Sequence, residues 1–255
     1  MSAKPPDTPS ESSLARNRAA WNAGRHDIWV ASLGDPAQAA AKVRSDPDAL
    51  LRRFGPALGE VRGRRVVNLQ GSHGRIAVAL ALKGAQVTVI DFAEENRRYA
   101  LALAEAAGVV IDYRVSDVMA AADLGLEPGF DLVAMELGIL HYHHDLDAFF
   151  RVCAALARPG GRLLLNEFHP VQRKLFSDLG TGDYFDPAAV VGPVPAPPGQ
   201  PPSGETCVYR FWTLAEVVSA CLAAGWTITS FAEHPDWDEP RRPGTFTLAA
   251  GLQGP

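Results

Sequence analysis

Three cysteines, Cys153, Cys207 and Cys221, are all that the 255 residues contain, and no two of them stand in a CxxC pair. Neither a structural zinc nor a disulfide framework is expected, and a reducing compartment, the cytoplasm, suits the chain best. No uninterrupted apolar run reaches the roughly 18 residues of a membrane span, and residues 1–13 are polar and proline-bearing, without the apolar centre of an export signal. Concentrated positive charge is missing as well. The net charge is −5 and the densest basic cluster is Arg62, Arg64 and Arg65, so neither nucleic acid nor a membrane surface is an expected partner. The glycine pattern G-x-G-x-x-G is also absent, which disfavours a dinucleotide site.

What is present reads as one folded α/β domain. Hydrophobic residues make up 47% and charged residues 21% of the chain, enough apolar matter for a core. Residues 1–13 read as a disordered tail, and 14–60 as a helical N-terminal cap with helical patterns at 14–25 and 35–54 and a turn at 29–34. From residue 61 onward, short β-branched runs alternate with alanine-rich stretches, the pattern of βα units feeding a parallel sheet. Strands are expected at 66–69, 86–90, 110–115, 131–135 and 162–166, with helices at 75–83, 94–107 and 146–157. Gly84, Gly108 and the pair Gly160 and Gly161 follow the helices where the chain must turn. The stretch 190–204 holds too many prolines and glycines for a helix or central strand, and marks a loop within a flap at about 172–210. A helix capped by Thr213 and strands at 226–232 and 245–250 complete the chain. The last two are joined by a loop without a helical pattern, which suits an antiparallel pair.

In open α/β sheets, ligands sit beyond the carboxyl ends of the strands, so the residues that follow each strand are the candidates. After the first strand, Asn68-Leu69-Gln70-Gly71-Ser72-His73-Gly74 forms a tight turn into a helix, exposing amide groups at the helix start. Asp91 closes the second strand, where a carboxylate can accept both hydroxyls of a ribose. Asp117 and Val118 follow the third, placed either to meet an adenine edge and face or to cap a helix. Glu136 is the first charged group after the fourth strand. His141, His143, His144 and Asp145 come next, with Asp145 opening a helix. Glu167 and His169 stand two apart after the fifth strand, on one side of extended chain, and could act together on one proton. The bland alternative pairs Glu167 with Arg173 or Lys174. A metal held by His141, His143, Glu167 and His169 is chemically conceivable, but no spacing enforces it, and none is expected. Trp21, Trp29, Tyr184, Phe185, Tyr209, Phe211 and Trp212, in the cap and flap, could close over a flat acceptor or simply pack.

Residues 66–169 resemble the class I S-adenosylmethionine-dependent methyltransferases, and the resemblance extends through the last two strands. In that family the first turn reads acid-x-Gly-x-Gly-x-Gly. Its acid falls here on Asn68 and its glycines on Gln70, Ser72 and Gly74, so three of four positions depart. The turn is similar instead to a bacterial subgroup with a Leu-Gln-x-x-x-Gly motif. The resemblance implies a doubly wound, seven-stranded, mostly parallel sheet with an antiparallel last strand. It implies S-adenosylmethionine as cofactor, held by Asn68, Gln70, Gly71, Ser72, Gly74, Asp91, Phe92, Asp117, Val118 and Glu136. Without the usual acid, the cofactor's ammonium depends on Glu136 or on backbone carbonyls. His141, Glu167 and His169 become the catalytic candidates. The expected activity is methyl transfer to O, N or C of a small metabolite or natural-product intermediate, with a homodimer left open. A non-catalytic nucleoside-binding relative and a nicotinamide oxidoreductase are the competing readings.

Overall fold

The computed structural model describes residues 11–127, 129–197, 200 and 203–253. Most of the expected tail, residues 1–10, lies outside them, and residues 11–13 already belong to the first helix. Four N-terminal helices, α1 (Glu11–Asn22), α2 (Arg25–Leu33), α3 (Pro36–Ser45) and α4 (Pro47–Leu51), lead through a 3₁₀ segment at Arg52–Leu58 into the sheet. There β1 (Arg65–Leu69), α5 (Arg75–Leu82), β2 (Gln86–Asp91), α6 (Glu94–Ala107), β3 (Asp112–Val115), β4 (Phe130–Glu136), α7 (Leu146–Leu156) and β5 (Ala157–Phe168) follow in turn. A hairpin, β6 (Ala189–Pro193) and β7 (Thr206–Arg210), precedes α8 (Leu214–Ala223), β8 (Trp226–Pro235) and β9 (Pro243–Leu252).

The main sheet has seven strands in the order β3-β2-β1-β4-β5-β9-β8. The first five are parallel and β9 runs antiparallel to both of its neighbours, as the sequence implies. The order reverses between β1 and β4, which opens a crevice over their carboxyl ends.

Alternation along the strands builds a core on each face. Val66, Leu132, Ala134 and Leu164 pack with α5, α6 and α3 on one side. Val67, Leu69, Val133, Met135 and Leu165 pack with α7 and α8 on the other. Burying both faces of β1, β2, β4 and β5 explains why these read as near-continuous apolar runs, whereas β3 at the sheet edge is mostly exposed. Val110 is 88% exposed, which is why β3 begins two residues later than expected.

Two expectations need correction. The turn expected at 29–34 is the C-terminal half of α2, because the real breaks are Gly24 and Gly34, with φ of 67° and 98°. Trp29 on α2 is buried and donates to Asn96 Oδ1 at 2.8 Å, so packing against α6 holds the helix. The flap is not a bare loop. Its hairpin pairs Ala189 with Arg210 through Pro193 with Thr206 as a separate two-stranded sheet, where a proline at the end of an edge strand needs no ladder partner. Residues 198–199 and 201–202 of the Pro-rich stretch lie outside the described residues.

Hairpin and N-terminal helices form one roof over the crevice. Asn17 on α1 accepts from Val208 N at 2.8 Å and donates to Val208 O at 3.2 Å, so its amide extends the edge of β7. Asn22 Oδ1 accepts from Glu94 N and Glu95 N, satisfying two amides at the start of α6, where the N-cap residue Ala93 offers no side-chain acceptor.

Candidate functional site

The turn after β1 keeps the backbone course of a glycine turn with few glycines. Gln70, Ser72 and Gly74 have φ of 49°, 47° and 77°, all left-handed. These are the three positions where the resembled motif has glycine, and the left-handed region is where glycine carries no Cβ penalty. The strain is held by contacts from both sides. Gln70 N donates to Ile90 O at 2.7 Å, and Tyr113 donates its hydroxyl to Ser72 O at 2.9 Å. Gly71 is small for another reason: a Cβ there would lie 2.5 Å from Asn68 Oδ1 and 2.8 Å from Val89 Cγ1. At Gly74 a Cβ would meet that of Ala100 at 2.6 Å, so this residue seats α5 on α6 and lies outside the cavity lining.

Two cavities of ≈ 280 and ≈ 290 Å³ lie side by side along the crevice, with Gln70, Phe92 and Tyr142 in the walls of both. Asn68, Ser72, Asp91 and Glu136 line the first. The Asp91 carboxylate accepts from Ser72 N at 3.0 Å, Ala93 N at 2.9 Å and Asn96 Nδ2 at 3.4 Å. Burial raises its pKa, and those three hydrogen bonds work against the rise. Asn68 donates to Ala134 O at 3.1 Å while its Oδ1 is buried without a partner. Glu136 has no ion pair among the described residues, and burial pushes its carboxyl up to about 7. The second cavity is walled by Leu14 of α1, Phe92, Asp117 and Val118. One oxygen of Asp117 caps the following turn through Met119 N at 3.0 Å, which leaves the other for a ligand.

The loop after β4 carries the histidines. Leu137, at φ 47°, donates to Asn166 O, and the Glu167 carboxylate accepts from Gly138 N, Ile139 N, Leu140 N and Phe168 N at 2.7–3.0 Å. Glu167 is therefore the clamp that shapes this loop. Paired action of Glu167 and His169 on one proton is not supported. His169 lies outside both cavities, with Nδ1 accepting from Val171 N and Nε2 2.8 Å from Glu233 Oε1. Glu167 makes no ion pair with Lys174, whose ammonium donates to Asp186 O and Phe211 O, nor with Arg173, although its charge lies near enough to act on that guanidinium. Among the described residues no three His, Cys, Asp or Glu side chains are gathered as a metal would need.

His141 does line the first cavity. It sits edge-on to Tyr142, Tyr209 and Phe211, its Nε2 is buried without a partner, and burial holds its pKa well below the usual value. It is therefore neutral at pH 7. His73 lines the same cavity, edge-on to Trp29 and held down to about 3 by burial. His143 lines the second, bonded to Gln70 Oε1 at 3.0 Å and stacked on Phe149.

Of the roof aromatics, Trp21 and Trp29 line the first cavity, and Trp21 donates to the Tyr142 hydroxyl at 3.1 Å. Tyr209 and Phe211 stack in a small core above His141. Trp212 ties down the β4 loop through Leu140 O and His143 O, Tyr184 accepts from Leu214 N, and Phe185 is exposed. The sequence reading missed Tyr142, Asn96 and Arg173 as site residues. Asn96 left a signal: it is a polar residue on the face of α6 that carries Tyr99, Ala100 and Leu103, where a buried amide needs a partner. Arg173 left none beyond its charge.

A family described as a methyltransferase domain matches residues 68–165, from the end of β1 into β5. A ubiquinone biosynthesis O-methyltransferase of Xanthomonas euvesicatoria is 39% identical over 109 residues, covering 42% of this chain and 44% of that protein. The chain thus matches less than half the length of this curated relative. Among solved structures, an S-adenosylmethionine-dependent methyltransferase of Mesorhizobium loti superposes with a TM-score of 0.58 at 24% identity, over 80% of this chain and 97% of that one. A magnesium protoporphyrin IX methyltransferase of Synechocystis with bound S-adenosylhomocysteine gives a TM-score of 0.60 at 18% identity, over 94% and 100%. The fold is that of the class I methyltransferases.

Proposed function

We propose that this chain is an enzyme that binds S-adenosylmethionine in the paired cavities and transfers its methyl group to a small metabolite. The observation that carries the reading is the set of acceptors gathered in the first cavity: Asn68 Oδ1 without a partner, the Glu136 carboxyl without an ion pair among the described residues, and the Asp91 carboxylate at the end of β2, whose three hydrogen bonds work against the cost of its burial. Buried acceptors without donors are costly, and a ligand presenting hydroxyls and a cation relieves them. A cofactor with a ribose, an ammonium and a sulfonium fits that need. Asp91 accepts from the ribose hydroxyls, Asn68 Oδ1 and Glu136 face the ammonium, and Leu14, Phe92 and Val118 wall the adenine, with the free Asp117 oxygen for its amino group.

When bound, the cofactor supplies an electrophilic methyl group for in-line displacement. The chain's own part is alignment and a place for the acceptor's proton. Neutral His141 offers its unpartnered Nε2 to an acceptor hydroxyl, holding the oxygen lone pair toward the cofactor and receiving the proton as the oxygen is methylated. Trp21, Trp29 and Tyr142 exclude water from above. O-methylation is favoured by this geometry and accords with the O-methyltransferase name of the Xanthomonas relative.

Incubation with methyl-labelled S-adenosylmethionine and a panel of phenols, catechols and amines tests the reading. It predicts label in a phenolic product with one S-adenosylhomocysteine formed per methyl transferred. Cofactor binding without transfer to any member would leave the chain a nucleoside-binding relative.

A further inference from the structure

Arg173 is a cation held in the wall of the first cavity, without an ion pair among the described residues. It sits in a single π-helical turn at Gln172–Phe176 just past β5. The turn is firmly placed: Arg173 N donates to His169 O, its carbonyl accepts from Ser177 Oγ at 2.6 Å, and the next side chain, Lys174, is anchored on two carbonyls. The guanidinium lies 3.7 Å from the centre of the Phe168 ring, and its Nε is buried without a hydrogen-bond partner. Among the described residues it has no ion pair. Glu167 shares the small adjoining cavity with it, but that carboxylate is taken by four backbone amides. Burial lowers the arginine's pKa, and the nearby Glu167 charge offsets this only in part.

Position separates this group from the cofactor residues. Asn68, Ser72, Asp91 and Glu136 stand at or just past the ends of β1, β2 and β4, whereas Phe168 ends β5 and Arg173 follows it, on the far side of β4. His141 and Tyr142 lie between. An acceptor reaching from His141 toward Arg173 therefore runs along the wall formed by Tyr142 and Phe168, beneath Trp21.

We propose that Arg173 receives a carboxylate of the methyl acceptor, so that the substrate is a flat hydroxy acid whose hydroxyl meets His141 and whose acid meets the guanidinium. This rests on the methyltransferase reading and adds the substrate class. A guanidinium stacked on an aromatic ring keeps its N–H edge free, and that edge matches the two oxygens of a carboxylate. The only other carboxylate source within the reading is the methionyl end of the cofactor itself.

Calorimetry on the full chain saturated with S-adenosylhomocysteine, titrated with 4-hydroxybenzoate and with neutral 4-hydroxybenzamide, tests the proposal. The acid should bind at least about tenfold more tightly than the amide, the scale of one charge-assisted contact. Arg173→Gln should bring the two within about twofold and leave S-adenosylhomocysteine affinity within about threefold, while Arg173→Lys, retaining the charge, should keep part of the preference. Equal binding of the two probes, or binding of neither, overturns the proposal. A loss of about tenfold or more in S-adenosylhomocysteine affinity in Arg173→Gln also overturns it, by assigning the arginine to the cofactor's carboxylate. Failure of the wild-type chain to bind S-adenosylhomocysteine would instead refute the methyltransferase reading beneath it.

Discussion

At the scale of single residues, the turn after β1 separates backbone course from residue identity. Ser72 and Gly74 both have positive φ, yet their surroundings differ. Ser72 uses its backbone N–H on Asp91 and its carbonyl on Tyr113, and its hydroxyl has no partner among the described residues. Ser72→Gly should relieve left-handed strain, partly offset by the greater freedom of glycine in the unfolded chain, for a net gain of about 0.5–1 kcal/mol. At Gly74 the same logic reverses, because an added Cβ meets Ala100 at 2.6 Å. Gly74→Ala should lose roughly 2–4 kcal/mol through overpacking and strain together. Thermal melts of the two variants check both signs. A destabilised Ser72→Gly would show that the serine side chain contributes something the hydrogen bonds do not account for.

At the scale of elements, the βαβ pattern was readable because both faces of each central strand are buried, which leaves short apolar runs punctuated by glycines. Strand ends were readable for the same reason, so Asp91 and Glu136 could be placed beside the crevice from β2 and β4 alone. The roof was not. Gly24 looked like a residue inside a helix, yet it is the left-handed break between α1 and α2. The Pro-rich stretch hid a hairpin strand that ends at Pro193, where no ladder bond is needed. Asn17, which joins α1 to β7 across 191 positions of sequence, has no local pattern that could announce it. Glu167 and His169 illustrate the limit from the other side. Their spacing put them on one side of the strand, but the backbone amides after β4 capture one and Glu233 the other. Period-2 reasoning places side chains on a face and says nothing of which partner reaches them first.

At the scale of the whole molecule, the crevice stores electrostatic cost that a ligand can release, and this makes stability depend on pH. Glu136 titrates near 7 in the folded chain against an ordinary 4.5, so between these values the folded form holds more protons than the unfolded. Stability therefore falls as pH rises from about 4.5 to 7, and the full cost is present above 7. His73 and His143, held at about 3, act with the opposite sign below about 6.5, where the unfolded chain binds protons that the folded one refuses. Glu136→Gln removes only the first effect. Without cofactor, this variant should melt above wild type at pH 8, by about 2–4 °C for each kcal/mol released, with the difference gone by about pH 4.5. A variant melting lower at pH 8 would mean that Glu136 already has a stabilising partner.

On the proposed function, a turn lacking its usual acid and two of its glycines still builds a pocket for S-adenosylmethionine around Asp91. Calorimetric titration of the chain with S-adenosylhomocysteine and, separately, with NAD tests it most directly. One molar equivalent of S-adenosylhomocysteine should bind, NAD should not, and Asp91→Ala should weaken the former by more than about tenfold through loss of the buried ribose contact. Binding of NAD, absence of S-adenosylhomocysteine binding, or an Asp91→Ala variant with unchanged affinity would contradict the account.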